Sequence, residues 1–481
     1  MSVSTATSNR VLRSAALLAA GGRAHLVGAA GAGMRALTEV LYGAGWRLSG
    51  SDTSATLGDV AHWQAQGVPI HTEHHEGHVP LDADLVVHSL AVPEDNPEIV
   101  QARTAGIATY NYPQMLGRLM AGRYGLAVAG THGKSTTTAM AAAILAHAGH
   151  DPTVLAGAAP LGATSGGRVG GGKLLLVEAC EYRRAFLNLR PRVAVVLGIE
   201  WDHLDCYQSL VDVEHAFGQF VQRVPPAGLL LANADCPTTC SASRQAKCRK
   251  ATFGFDAQAD WQAASLKVQR GRYRFTVRHR KRELTDVTLR VPGRHNVLNA
   301  LAAAALASEV GCRGKEIGEA LSAFVGLHRR LEILGTFEGV TVVDDYAHHP
   351  TEITAALTAV RKMFPERRIV CVFQPHQASR TRGLLDELAA SLHNADKVYV
   401  AEVFRAREPA LTMPEATAAD LAARASQRGV PLGSGHGLEE ITCHLRGDLS
   451  AGDVLITLGA GDIRKVCDGL IQRTSTDRAA A

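Results

Sequence analysis

The stretch Gly130-Thr131-His132-Gly133-Lys134-Ser135-Thr136-Thr137-Thr138 follows the apolar run Leu126-Ala127-Val128-Ala129 and precedes the alanine-rich segment Ala139 to Ala148. That order predicts a strand, a glycine loop and a helix. Small residues let successive backbone N–H groups curl round a polyphosphate, with the positive end of the helix dipole behind them. Lys134 can then reach the terminal phosphates, and the Ser135 hydroxyl can ligate magnesium. Gly130, Thr131, His132, Gly133, Lys134, Ser135 and Thr136 are therefore the expected nucleotide-binding loop. A strict phosphate loop has glycine where this chain has Val128, so the match is to a variant, and such a turn can also be an ordinary strand-to-helix connection.

Downstream, the apolar run Lys173 to Val177 ends in Glu178, and the run Val193 to Leu197 leads to His203. Two strands would thus deliver a carboxylate and an imidazole to the sheet edge that carries the loop. Each residue alone could equally serve as a cap or a core hydrogen-bonding group. Beside Lys134 they point to a divalent cation held by Ser135, Glu178 and His203.

Upstream, His25-Leu26-Val27 runs into Gly28-Ala29-Ala30-Gly31-Ala32-Gly33-Met34, a helical pattern to about Ala44, and a second strand ending at Asp52. A glycine turn with an acid about twenty residues on is the general form of a dinucleotide or nucleotide-sugar site. Gly28, Gly31, Gly33, Met34 and Asp52 are its candidates, with Ser89 and Ala91 just past the strand Leu85-Val86-Val87. Tight packing alone is the competing explanation of the turn. The histidines at 71, 74, 75 and 78 are read as solvated residues of a polar loop without supporting acids, and Gly162 to Gly172 as a mobile or substrate-facing loop that cannot pack a regular element.

The length of 481 residues suggests about three domains, and 46% hydrophobic with 20% charged residues fits a globular protein. A net charge of +4 does not suggest a nucleic-acid partner, and the basic run Arg278 to Arg282 alternates like an exposed hairpin. Nine scattered cysteines suit reduced thiols in a cytoplasm. Ala15 to Ala20 is too short to span a membrane, and no membrane insertion is expected.

Farther on, Gly293-Arg294-His295-Asn296 opens an alanine-rich helix, where Asn296 can read an adenine edge or simply cap the helix. Gly326 to Glu332 is read as a hinge into a third α/β unit, which begins with the strand Val340 to Val343 and the turn Asp344-Asp345-Tyr346-Ala347-His348-His349-Pro350-Thr351-Glu352.

From about His25 to Ile463 the chain resembles the Mur ligases of peptidoglycan synthesis. The resemblance rests on Gly130 to Ser135, Gly293 to Asn296, Arg329-Arg330 and Asp344 to Glu352. It implies an α/β fold of three consecutive domains. These are a Rossmann-like domain for a UDP-sugar (1–121, with an N-terminal extension), a central P-loop-type ATPase domain (122–325) and a Rossmann-like C-terminal domain for the amino acid (326–481). The implied reaction activates a muramate carboxylate as an acyl phosphate, which an amino-acid amine attacks. ATP and Mg2+ are the implied cofactors, and UDP-N-acetylmuramate and L-alanine the implied partners, for a monomer or homodimer. Lys134, Glu178, His203 and His348 would be catalytic. Arg329 or Arg330 would contact phosphates, Asn296 adenine and Asp345 ribose, while Tyr346, His348, His376 and Arg380 would line the amino-acid end.

Three departures from the family stand out. The segment after the metal glutamate is Glu178-Ala179-Cys180-Glu181-Tyr182-Arg183-Arg184, a variant motif. Gln377 stands where arginine is frequent, which leaves Arg380 as the main cation for an α-carboxylate unless it is taken by an acid such as Asp386. No lysine occurs between Lys173 and Lys247, so the carbamylated lysine of several relatives is not available. Rival readings are a ligase that recycles tripeptide, a nucleotide switch without ligation, and an oxidoreductase built on the first domain.

Overall fold

The computed structural model describes residues 21–406 and 416–477. The Ala15 to Ala20 stretch lies outside them. Among the described residues, the strands form three sheets in series along the chain. The first contains β1 (Arg23–Val27), β2 (Arg47–Ser51), β3 (Ile70–His71), β4 (Leu85–His88) and β5 (Ala108–Asn111). All its pairings are parallel, in the order β3-β2-β1-β4-β5. The order reverses about β1, and such a switch point opens a crevice at the carboxyl ends of the strands.

The central sheet has ten strands: β6 (Tyr124–Ala129), β7 (Thr153–Leu155), β8 (Gly167–Arg168), β9 (Leu174–Glu178), β10 (Val193–Val196), β11 (Leu229–Asn233), β12 (Arg249–Gly254), β13 (Trp261–Gln269), β14 (Arg272–His279) and β15 (Arg282–Thr288). Its order is β15-β14-β13-β12-β11-β10-β6-β9-β7-β8. β6 therefore lies between β9 and β10, and the loop after it emerges beside the ends of both. Side chains alternate across a strand. Leu126 and Val128 accordingly join the core beneath the helices Lys134–His147 and Arg294–Glu309, while Ala127 and Ala129 join the core shared with the first sheet. The Arg294–Glu309 helix is buried along almost all of its length from Val297 to Ala307, and its run of alanines lets it sit against both sheet and helix.

The third sheet contains β16 (Glu332–Phe337), β17 (Val340–Asp345), β18 (Ile369–Phe373), β19 (Lys397–Val400) and β20 (Val454–Leu458), in the order β16-β17-β20-β18-β19. Only β16 runs antiparallel to its neighbour.

Three expectations are corrected. The glycine-rich segment does pack: it contributes β8, antiparallel to β7, and a side chain at Gly167 would run into the backbone of Ala36. The third α/β unit opens with β16 rather than with the strand Val340 to Val343, and Leu327 ahead of it bridges back to Pro160 of the central domain. The histidines of the 71–78 region do have an acid, Glu98. It is fully buried, with His78 Nδ1 at 3.1 Å, His74 Nδ1 at 3.4 Å and His25 Nε2 at 3.6 Å. The Arg278 to Arg282 run spans the end of β14, the turn at Arg280 and Lys281 and the start of β15, a hairpin as its alternation suggested. All nine cysteines are free thiols.

Candidate active site

The phosphate loop closes on itself through two glycines with positive φ, Gly130 at 139° and Gly133 at 80°. Gly133 is the N-cap of the Lys134–His147 helix, so the loop ends in unpaired helical N–H groups. A side chain at Gly130 would meet Leu197 Cβ at 2.7 Å, which explains the glycine sterically. Lys134 Nζ donates to the carbonyls of Gly130 (2.7 Å) and Thr131 (2.9 Å) and to Glu181 Oε1 (2.9 Å). Burial works against its charge, but the Glu181 carboxylate prevails and raises its pKa. Glu181 is 2% exposed, and it is the central acid that reading for the metal set passed over. Its presence in the variant motif was the available signal.

Glu178 and Ser135 line one cleft with Arg35, Arg329 and Tyr346, so residues carried by all three sheets border a single space. Glu178 Oε2 accepts the Gly157 N–H at 2.7 Å. A hydroxyl and a carboxylate facing the same space are hard oxygen donors that fit a magnesium ion. His203 lies on the lysine side instead, with Nε2 3.6 Å from Glu181 Oε1. It sits at φ 53°, a strained backbone for a non-glycine residue, held by its N–H to Asp202 Oδ1 at 2.6 Å. Burial opposes its protonation, and Glu181 and Asp202 outweigh that to raise its pKa.

A second cavity collects His132, Gly133, Thr136, Asn296, Arg330 and Asp345 at the junction of the second and third sheets. Asn296 does not cap its helix; Gly293 holds that position. Its amide instead donates to Pro292 O at 2.6 Å and accepts from Asn299 at 3.0 Å. Asp345 accepts the N–H groups of Leu331 (2.7 Å) and Ala347 (2.8 Å), and burial pushes its pKa up to about 6.

A third cavity is lined by Gly31, Gly33, Met34 and Ser89 of the first domain and by Glu178. Gly28 has φ 80°, and a side chain at Gly33 would strike the Tyr112 ring at 2.9 Å. Asp52 braces the turn by accepting the Ala30 N–H at 2.8 Å, and the Ser89 hydroxyl accepts that of Ala91 at 3.2 Å.

On the third sheet, the Tyr346 and His348 rings lie 5.5 Å apart, and those of His348 and His376 5.6 Å apart. Arg329 and Arg330 stack on Tyr346 at 4.9 and 5.2 Å. Burial pushes His348 down to about 4 and His376 to about 3, so both rings are neutral near pH 7. Arg380 is only 2% exposed and is committed to an acid, although not to Asp386, whose partners are Arg424 and Arg428. Its Nε and Nη2 donate to Asp202 Oδ1 at 2.9 and 2.7 Å, across from the central domain, and its Nη1 reaches His376 Nδ1 at 3.2 Å. Asp202 is therefore the second residue that reading missed; nothing local in the sequence marks a partner 178 positions away.

Comparison with known proteins follows the same three-part division. Residues 23–124 match the model described as Mur ligase family, catalytic domain; 128–307 match the Mur ligase middle domain; and 329–461 match the Mur ligase, glutamate ligase domain. The chain is 42% identical over 447 residues to the UDP-N-acetylmuramate--L-alanine ligase of Clostridium novyi, covering 92% of this chain and 96% of that one. It is 39% identical over 462 residues to the enzyme of the same name from Salinibacter ruber, covering 95% and 96%. The crystal structure of the UDP-N-acetylmuramate-alanine ligase from Thermotoga maritima superposes with a TM-score of 0.80 at 28% identity, covering 95% of this chain and 100% of that one. A murein peptide ligase from Psychrobacter arcticus gives 0.72 at 27%, covering 94% and 98%.

Proposed function

The chain belongs to the Mur ligase family, and on that premise we propose that it joins L-alanine to the muramate carboxylate of UDP-N-acetylmuramate with consumption of ATP. The observation that carries this reading is the cleft bordered by Arg35, Ser135, Glu178, Arg329 and Tyr346, where groups brought by three domains can react. The carboxylate oxygen takes the γ-phosphoryl group and ADP leaves. The amine then attacks the acyl carbon, and phosphate departs with one of the original carboxylate oxygens.

In this reading the chain's own residues orient and neutralise. Lys134 steadies the β and γ phosphates, its ammonium kept charged by Glu181. Ser135 and Glu178 would hold a magnesium ion and His203 would serve a second, which supplies charge neutralisation at the transferring phosphoryl group. The cavity with Asn296, Arg330 and Asp345 takes the adenosine. The cavity with Gly31, Gly33, Met34 and Ser89 takes the UDP-sugar, with Gly28, Asp52 and Ala91 shaping its turn. Tyr346, His348, His376 and Arg380 receive the amino acid, and burial keeps the His348 and His376 rings neutral beside it. Nine free thiols suit a reducing cytoplasm, and among the described residues no helix is long and apolar enough to cross a membrane.

The test is phosphate release with ATP and UDP-N-acetylmuramate, offering each amino acid in turn and then the tripeptide. L-Alanine should give the highest kcat/KM. Preference for the tripeptide would make the protein a recycling ligase, and phosphate release independent of any acceptor would make it a switch.

A further inference from the structure

At the seam between the phosphate loop and the third domain, three ligand-type side chains from distant stretches converge. His132, Glu200 and His349 each place one donor atom within 4.8 Å of the other two. His132 Nε2 lies 3.6 Å from Glu200 Oε2, and His349 Nδ1 lies 3.7 Å from the same oxygen. Two ligands bound at about 2.0–2.1 Å to a tetrahedral ion stand roughly 3.3–3.5 Å apart, so each imidazole–carboxylate spacing needs only a few tenths of an ångström of contraction, while the two imidazoles close in from within 4.8 Å. The other nitrogen of each ring already faces an acceptor: His132 Nδ1 meets Glu352 Oε1 at 3.1 Å, and His349 Nε2 meets the Trp201 carbonyl at 3.3 Å. This is the outer-shell arrangement that orients imidazole ligands.

His132 Nε2 is buried and has no hydrogen-bond partner. With Nδ1–H directed at Glu352, its lone pair would oppose the Glu200 carboxylate unless a positive species lies between them. Burial keeps His349 neutral, and its Nδ1 lone pair accepts only a long hydrogen bond from the Thr351 N–H at 3.4 Å, which an ion would displace.

We propose that His132, Glu200 and His349 form a binding site for a divalent transition-metal ion of the zinc class, separate from the magnesium-type oxygen donors of the cleft. Two imidazoles and one carboxylate favour zinc, cobalt or nickel over magnesium or calcium. Three protein ligands leave a fourth position open. Because His132 and Glu200 belong to the central domain and His349 to the third, the ion ties the two domains together.

The test uses the full chain, freed of metal, titrated with Co2+ in excess Mg2+. One equivalent should give the visible absorption of four-coordinate cobalt without a thiolate charge-transfer band. His349→Gln and Glu200→Gln should each weaken Co2+ binding at least ten-fold, while His203→Ala leaves it intact. Circular dichroism checks that each variant is folded, and Glu200→Gln serves if His349→Gln is not. The proposal fails if the parent shows no saturable site or if a thiolate band places the ion on cysteine. It fails equally if binding survives both substitutions, or is lost with His203→Ala but retained in His349→Gln.

Discussion

Lys134 and Arg380 are the two cations on which catalysis is argued, and each is held by a buried acid from elsewhere in the chain. Removing either therefore has two effects that must be separated. Lys134→Ala should lower kcat by about 10²–10³-fold, the scale of a lost transition-state charge contact. It should also lower the melting temperature, because the buried Glu181 loses its closest cation and keeps only the longer His203 contact at 3.6 Å. Lys134→Met combined with Glu181→Gln should recover the melting temperature and none of the rate. Arg380→Ala should raise the KM for L-alanine about ten-fold or more, roughly 1.4 kcal/mol, with little change for ATP. An unchanged alanine KM alongside a lowered melting temperature would mean that Arg380 only bridges domains through Asp202. Local chemistry was readable at this scale: the loop, Glu178 and the Tyr346–His348 turn are contiguous motifs. Glu181 left its signal in the variant motif, whereas Asp202 and Glu200 left none, because the bases they meet, Arg380 and His349, come from another domain.

At the scale of elements, the helix Pro97–Thr104 shows what periodicity leaves out. Its first turn carries Glu98 inward to a set of histidines from β1 and the segment after β3, and its carboxylate also accepts from the Ser51 hydroxyl. Burial alone would raise this carboxyl, but His25 and Ser51 prevail and hold it at about 2, below its ordinary value of 4.5. A folded-state pKa that is depressed contributes stability above pH 4.5, and the contribution is lost as pH falls from there through about 2. Glu98→Gln should lower the melting temperature at pH 7 and flatten the acid limb of the stability curve between those values. Chemical denaturation at a series of pH values measures both; an acid limb identical to the parent's would remove Glu98 from the account. The strands themselves were legible because β1, β4, β6 and β18 are short apolar runs bounded by turn residues. β8 was not, since glycine signals a loop until close approach to a neighbouring backbone makes it the residue that fits.

For the whole molecule, several contacts that join the central and third domains are polar, Arg380 with Asp202, Thr351 with Glu200, and His132 with Glu352, beside the apolar contact of Leu204 with the third-domain core. Interfaces of this kind open and close more readily than large apolar ones. Glu200→Gln combined with Asp202→Asn should enlarge the radius of gyration in small-angle scattering and reduce turnover, and an unchanged radius would show that other contacts hold the domains. Three α/β units in series were visible in the order of motifs, whereas the placing of all three around one cleft was not, because it depends on contacts between residues far apart in sequence. The proposed ligation passes through an acyl phosphate. UDP-N-acetylmuramate carrying oxygen-18 in the muramate carboxylate tests this when the label is followed in a single round of turnover with ATP and L-alanine. One labelled oxygen should appear in the released phosphate for each amide bond formed, and unlabelled phosphate accompanying amide formation would contradict the account.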